Sequence, residues 1–231
     1  MDEDRLARVL ATLSASTGST LLDRLLQLCV DLLPIAGAGV AVIGDGQHRG
    51  AIAVSDSTVA ALDELQFGLG EGPCLDADRS ARPVLEPDLV AAASQWPAFA
   101  PAALALGTAA VFAFPLRVGA VRLGVLSLYG ATAAELDGKD LRDALTLSRI
   151  VTNVLLDVEA NLVPGQLPER LAEILDQRAH IHQATGMIAA QLRVDVAGAL
   201  AHLRAFAWSG DRTIDSVAAD VTGGVIRFDG V

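Results

Sequence analysis

Apolar positions along the chain alternate between helical and extended spacing, and the alternation predicts most of the elements. Leu6, Val9, Leu10 and Leu13 mark a short amphipathic opening helix. A polar break over Ser16–Ser19 follows. Leu22, Leu25, Leu26, Cys29 and Leu33 then define one face of a longer helix over Leu21–Leu33, stopped by Pro34. Two extended runs, Ala38–Ile43 and Arg49–Ser55, flank Gly44-Asp45-Gly46, and an Asp-Gly turn between such runs predicts a hairpin. Thr58–Phe67 reads as a short helix. Ala109–Arg117 and Ala120–Tyr129, joined at Val118-Gly119, read as a second hairpin. From Asp137 to Leu162 a long helix carries a broad stripe of Leu141, Leu145, Ile150, Val151, Val154, Leu155 and Val158, wide enough to meet the sheet and a second subunit together. Between the hairpins, residues 68–77 (GLGEGPCLDA) hold four Gly or Pro in ten, which predicts a shaped loop and no regular element.

The last third changes character. Leu167, Leu171, Ile174, Arg178, Ile181, Thr185, Ile188 and Leu192 alternate steps of four and three, a helix with a seam like that of a coiled coil. Asp195 is placed to cap a second helix with Val196, Leu200, Leu203 and Ala207 as its buried stripe. Gly198 stands inside that helix, at an expected cost of roughly 1 kcal/mol relative to Ala. Thr213 is placed to cap a third helix, with Ile214, Val217, Ala218 and Val221 inward and Gly223-Gly224 as its stop. A helix this short buries its apolar face only against the other two. The fold class is therefore α+β: an antiparallel sheet flanked by helices, a long connecting helix, and a C-terminal three-helix module. The expected divisions are residues 1–160, a linker over 161–166, and 167–227.

Composition sets the compartment and narrows the chemistry. The 231 residues are 52% hydrophobic with a net charge of −11, and Lys139 is the lone lysine. Residues 1–165 carry −9 of that charge, which argues against nucleic acid or an anionic membrane as a partner of the front half. Residues 166–231 hold six Arg against eight acidic groups, a net −2, so a basic footprint needs its arginines gathered on one face. Two cysteines, Cys29 and Cys74, are too few for a disulfide framework and lack metal-ligand spacing. The charged MDEDRLAR start has no apolar signal core, and Pro101, Gly107 and Pro115 interrupt the apolar run near residue 110. A cytoplasmic protein is expected, with no metal and no cofactor.

Two stretches carry a family resemblance. Ala184, Gly186 and Met187, then Ala199, Leu203, Arg204, Ala207 and Arg212, then Val217 and Ala218 are spread over residues 177–221 at the spacing of the ANTAR module, which this stretch resembles. The resemblance implies a three-helix RNA-binding output domain of bacterial antiterminators. The phrases GLGEGPCLDA (68–77), WPAFAPAALALG (96–107), AVFAFPL (110–116) and LGVLSLYG (123–130) are similar to the GAF domains that precede ANTAR modules in actinobacterial regulators. That likeness spans about residues 20–160 and implies a pocket for a small ligand between sheet and covering loops.

The expected RNA-binding residues are Arg178, His182, Gln183, Gly186, Arg204, Trp208 and Arg212, with Arg193 on the same polar face. Guanidinium planes and an exposed indole suit stacking on splayed bases of RNA loops. The expected pocket residues are Cys74, Asp76, Asp88, Trp96, Phe99 and Phe114, with Trp96-Pro97 also fitting a packing role and Cys74 either a redox-reactive thiol or an ordinary loop residue. Cys29 and Tyr129 fit the core. The resulting expectation is a homodimeric, signal-responsive regulator that binds RNA stem-loops, acting by transcription antitermination or on translation. The alternative is a protein–protein signalling module without RNA binding. A DNA-binding helix-turn-helix ranks below both, because the second and third helices lack a basic recognition face. Thiol-based methionine sulfoxide reductases exist among GAF proteins, but they need several cysteines, so no catalytic residue and no enzyme are expected.

Overall fold

A computed structural model describes residues 5, 7–9, 11, 19–44, 47–160 and 178–228. Its front half is built on five antiparallel strands, β1 (Gly37–Gly44), β2 (Gln47–Val54), β3 (Val84–Glu86), β4 (Ala110–Val118) and β5 (Val121–Gly130). Their order across the sheet is β2-β1-β5-β4-β3. Both predicted hairpins are present, β1 with β2 and β4 with β5. β1 and β5, far apart in sequence, close the centre with Val40 opposite Leu126.

Successive strand side chains point to opposite faces, and the sheet is covered on both. Ala38, Val40, Ala110, Phe112, Phe114, Leu116, Leu126 and Leu128 pack with helices α1 (Ser19–Leu32) and α5 (Gly138–Ala160). On the other face Val111 and Tyr129 meet helices α2 (Ser57–Leu69) and α4 (Phe99–Ala105), and Val125 and Ala113 meet α3 (Pro73–Ser80). Helix α2 lies close on β1 because Gly37 and Gly39 have no side chains there. A Cβ at those positions would come within 2.5 and 2.8 Å of Val59. In the opening segment Val9 is buried against this core, whereas Leu6, Leu10 and Leu13 lie outside the described residues.

Residues 68–77 depart from the expected loop. Pro73 at the start of α3 brings a φ already suited to a helix and lacks an N–H that the first turn would leave unpaired, so the glycines end at the helix and do not run through it. Glu71, just before it, accepts from the N–H groups of Ala98 and Phe99 at 2.7 Å and caps α4. Two elements escaped the hydrophobic pattern altogether, the three-residue β3 and the Ala/Pro-rich α4.

The C-terminal half is a three-helix unit, α6 (Ala179–Leu192), α7 (Val196–Ser209) and α8 (Ile214–Thr222). Asp195 caps α7 through the Gly198 N–H at 2.7 Å, and Thr213 caps α8 through the Ser216 N–H at 3.2 Å. Gly198 is thus in the first turn and not in the helix interior, and a Cβ there would approach the capping carboxylate to 2.9 Å. The α7 stripe is Ala199, Leu200, Leu203 and Ala207; Val196 is 59% exposed, contrary to the pattern. The small Ala199 takes the inward position, fully buried in the three-helix cluster. Of the described seam positions, Ile181, Thr185 and Ile188 are buried inside this unit, Leu192 packs half-buried against it and Arg178 is buried at its start, with Thr185 Oγ1 donating to the Ile181 carbonyl at 2.7 Å. Leu167, Leu171, Ile174 and the linker lie outside the described residues.

Candidate nucleic-acid interface and sensor cleft

The candidate RNA-binding residues divide into two groups. His182, Gln183 and Gly186 are exposed one turn apart on α6, and Trp208, near the end of α7, is 61% exposed. Arg212 is turned back onto α8, donating to Ser216 Oγ and Asp220 Oδ2, both at 2.6 Å. Arg193 is exposed, in the left-handed conformation that ends α6. Arg178 and Arg204 face the sensor half. Arg178, only 6% exposed, pairs with Glu64 and lies 3.9 Å from Asp63, both on α2. Arg204 donates from Nε (3.0 Å) and Nη2 (2.7 Å) to the backbone carbonyl of Phe67. Burial, with Arg79 and Arg178 nearby, lowers its pKa to about 10. Phe67 itself is buried among Ile181, Leu203, Ile214 and Val217. The Glu64–Phe67 stretch of α2 is therefore a contact element that periodicity did not single out; its one signal in the sequence is an aromatic just before the Gly-rich segment.

The same helix walls a cleft on the sheet. It is a narrow crevice with no room for a water-sized molecule as it stands, lined by Gly39, Ala41, Ala51, Val54, Val59, Asp63, Ser127 and Tyr129. Asp63, 5% exposed, accepts from the Ala51 N–H at 2.9 Å. Beside the cleft runs a buried polar network. Gln66 Oε1 accepts from the Cys74 N–H (2.9 Å), and its Nε2 donates to Tyr129 Oη (3.2 Å) and Cys74 Sγ (3.0 Å). Cys74 Sγ and Ser127 Oγ are 2.7 Å apart. Burial pushes the Cys74 thiol up to about 12 and raises Tyr129 well above the usual phenol range. Cys29 is buried and likewise raised to about 12.

None of the six pocket residues named from the sequence lines that cleft. Cys74 is buried within α3 and held by the network, which removes the accessible redox thiol from consideration. Asp76 accepts from Trp96 Nε1 at 3.0 Å and ties α3 to the segment before α4. Trp96, 2% exposed, meets Phe99 edge to face. Asp88 accepts from the Val90 N–H at 2.9 Å in the turn before Ala91–Ser94. Phe114 lies on the opposite face of the sheet with α1 and α5. Among the described residues, no group of three His, Cys, Asp or Glu side chains is placed to hold a metal ion.

The front half has the fold of a GAF domain. The GAF domain of a phosphoenolpyruvate-protein phosphotransferase from Acinetobacter superposes with a TM-score of 0.54 at 14% identity, covering 71% of this chain and 99% of that one. The corresponding domain from Coxiella burnetii gives 0.52 at 17%, covering 68% and 94%. At these identities the likeness concerns the fold alone. No curated protein matches the chain. Residues 15–155 match the GAF domain model and residues 169–221 the ANTAR domain model. The chain thus belongs to the GAF domain family, as a regulator of the two-domain type in which an ANTAR module follows the GAF domain. GAF domains are sensory and ANTAR modules are RNA-binding antitermination modules, a combination that points to a regulator. No helix among the described residues is long and apolar enough to cross a membrane.

Proposed function

We propose that this chain is a signal-responsive, cytoplasmic RNA-binding regulator, without enzymatic activity, that acts by antitermination or on translation. Its GAF half senses a small ligand, which would enter between β1 and α2 by widening the crevice there. The observation that carries this reading is Trp208, an indole left 61% exposed on α7 of an ANTAR module. An exposed indole offers a flat face on which an unpaired base can stack. His182, Gln183 and Gly186 extend the outward polar surface on α6. Within the sensed signals, a ligand is favoured over redox chemistry, because a thiol with a pKa of about 12 carries almost no thiolate near neutral pH. The same burial of Cys74 and Cys29 supports the absence of thiol catalysis.

The test is retention of hairpin RNAs by the purified chain across a salt series. Binding that weakens with salt supports RNA over a protein-docking module. Trp208→Ala is expected to weaken loop binding about tenfold while leaving the melting temperature in place. Unchanged RNA binding in both Trp208→Ala and Arg204→Ala refutes these contacts. The proposal includes a homodimer; sedimentation that finds a monomer at micromolar concentration removes it.

A further inference from the structure

Phe67 is, among the described residues, the one member of the α6–α8 hydrophobic cluster that lies outside residues 178–228. It comes from the last turns of α2, in the sensor half. The Arg178 guanidinium lies 3.6 Å over the centroid of its ring, and that of Arg204 is 5.7 Å away. Its carbonyl takes the two-pronged donation of Arg204 already described. Gly70, with φ of 69°, leaves room for this, since a Cβ there would meet Arg204 Nη1 at 2.7 Å. One residue thus offers a flat ring stacked under one guanidinium and a carbonyl oxygen held in the fork of another. Guanidinium groups use those two contacts on unpaired nucleobases, stacking on the face and donating to an edge carbonyl.

We propose that the socket between α6 and α7 is a nucleobase site, taking an unpaired base with a ring carbonyl, and that α2 fills it with Phe67 as an internal competitor. The inference rests on the RNA-binding reading above. The seat is built to be vacated. Arg178 Nη1 is buried with no hydrogen-bond partner among the described residues, and an unsatisfied buried N–H weakens the docked state. Arg204 is desolvated next to two other guanidinium groups, Arg79 and Arg178. Glu64 pairs with Arg178 and Asp76 with Arg79, whereas the contact Phe67 offers Arg204 is a neutral carbonyl. A nucleotide brings ring acceptors for the orphaned N–H and a phosphate for the cations. Docked α2 and bound RNA therefore exclude one another, and the apparent RNA affinity falls with the docked fraction.

The experiment uses the full chain and fluorescein-labelled hairpins with a randomised loop, read by anisotropy. The same stem with an abasic loop serves as control. Phe67→Ala is expected to bind the randomised-loop pool at least about tenfold more tightly than the native chain. Glu64→Gln, at an exposed carboxylate, gives a smaller gain in the same direction with little risk to folding. Neither variant gains on the abasic loop. In the native chain, amide exchange of residues 62–69 speeds up on saturation with RNA. Equal affinities in all three proteins with unchanged exchange overturn the socket while leaving RNA binding intact, as does an equal gain on the abasic loop. Absence of RNA binding in every protein overturns the functional reading and this inference together.

Discussion

Replacing Gln66 by Met tests the buried network that joins the sensor helix to the sheet. Gln66 is fully buried, and its amide takes the Cys74 N–H while donating to Tyr129 and the Cys74 sulfur. Methionine nearly matches the volume, so cavity formation contributes little and the change isolates hydrogen bonding. The Cys74 N–H is left buried without an acceptor, at about 1–3 kcal/mol, and the loss to Tyr129 Oη adds about 1 kcal/mol. The expected destabilisation is about 2–4 kcal/mol, or roughly 4–16 °C in melting temperature for a chain of this size. Thermal melting followed by circular dichroism measures it, with urea unfolding to check that the slope is unchanged. A shift below about 0.5 kcal/mol would show that the amide contributes nothing net and that the network is not what anchors α2. In a cycle with Ser127→Ala, the coupling should exceed about 0.5 kcal/mol, because both residues act through Cys74.

Three further predictions concern the buried thiols and the turn before α3. Cys29 and Cys74, both raised by burial from about 9 to about 12, should resist thiol reagents in the native state at pH 8 and react only once denaturant is added. Because the folded values lie above the unfolded ones, these thiols contribute stability that is present below pH 9 and lost as pH rises toward 12, and urea midpoints across that window should fall. Gly72→Ala should destabilise the chain by about 2–4 kcal/mol, since φ is 136° and a Cβ would sit 2.5 Å from Gln66 Oε1. A native-like melting curve for Gly72→Ala would refute that constraint.

The chain's alternating and helical periods disclosed the two hairpins, the long α5 and the three C-terminal helices, because each buries a regular apolar stripe. What escaped them was irregular or distant. Helix α3 was hidden by the glycines that precede it, although Pro73 is a helix-starting residue when it stands first. Three members of the expected α7 stripe, Leu200, Leu203 and Ala207, are buried, but Ala199, which carries less hydrophobic signal, takes the inward place expected of Val196. The cleft is lined largely by Gly39, Ala41 and Ala51, residues with no chemical flag. The chemically conspicuous Cys74, Asp76 and Trp96 instead hold loops together. Arg178 and Arg204 were legible as candidates, but their partner Phe67 lies more than a hundred positions away in sequence, and no local pattern reports such a pairing.

Helix α2 is a single 13-residue rod with Val59 and Asp63 on the cleft and Glu64 and Phe67 against α6 and α7. A molecule that wedges between this rod and β1 tilts both ends at once. Thermodynamic reciprocity then binds the two halves: whatever factor such a molecule imposes on RNA affinity, RNA returns to the molecule's own affinity. Calorimetric titration of a candidate effector, with and without a hairpin present, would read that factor from either side.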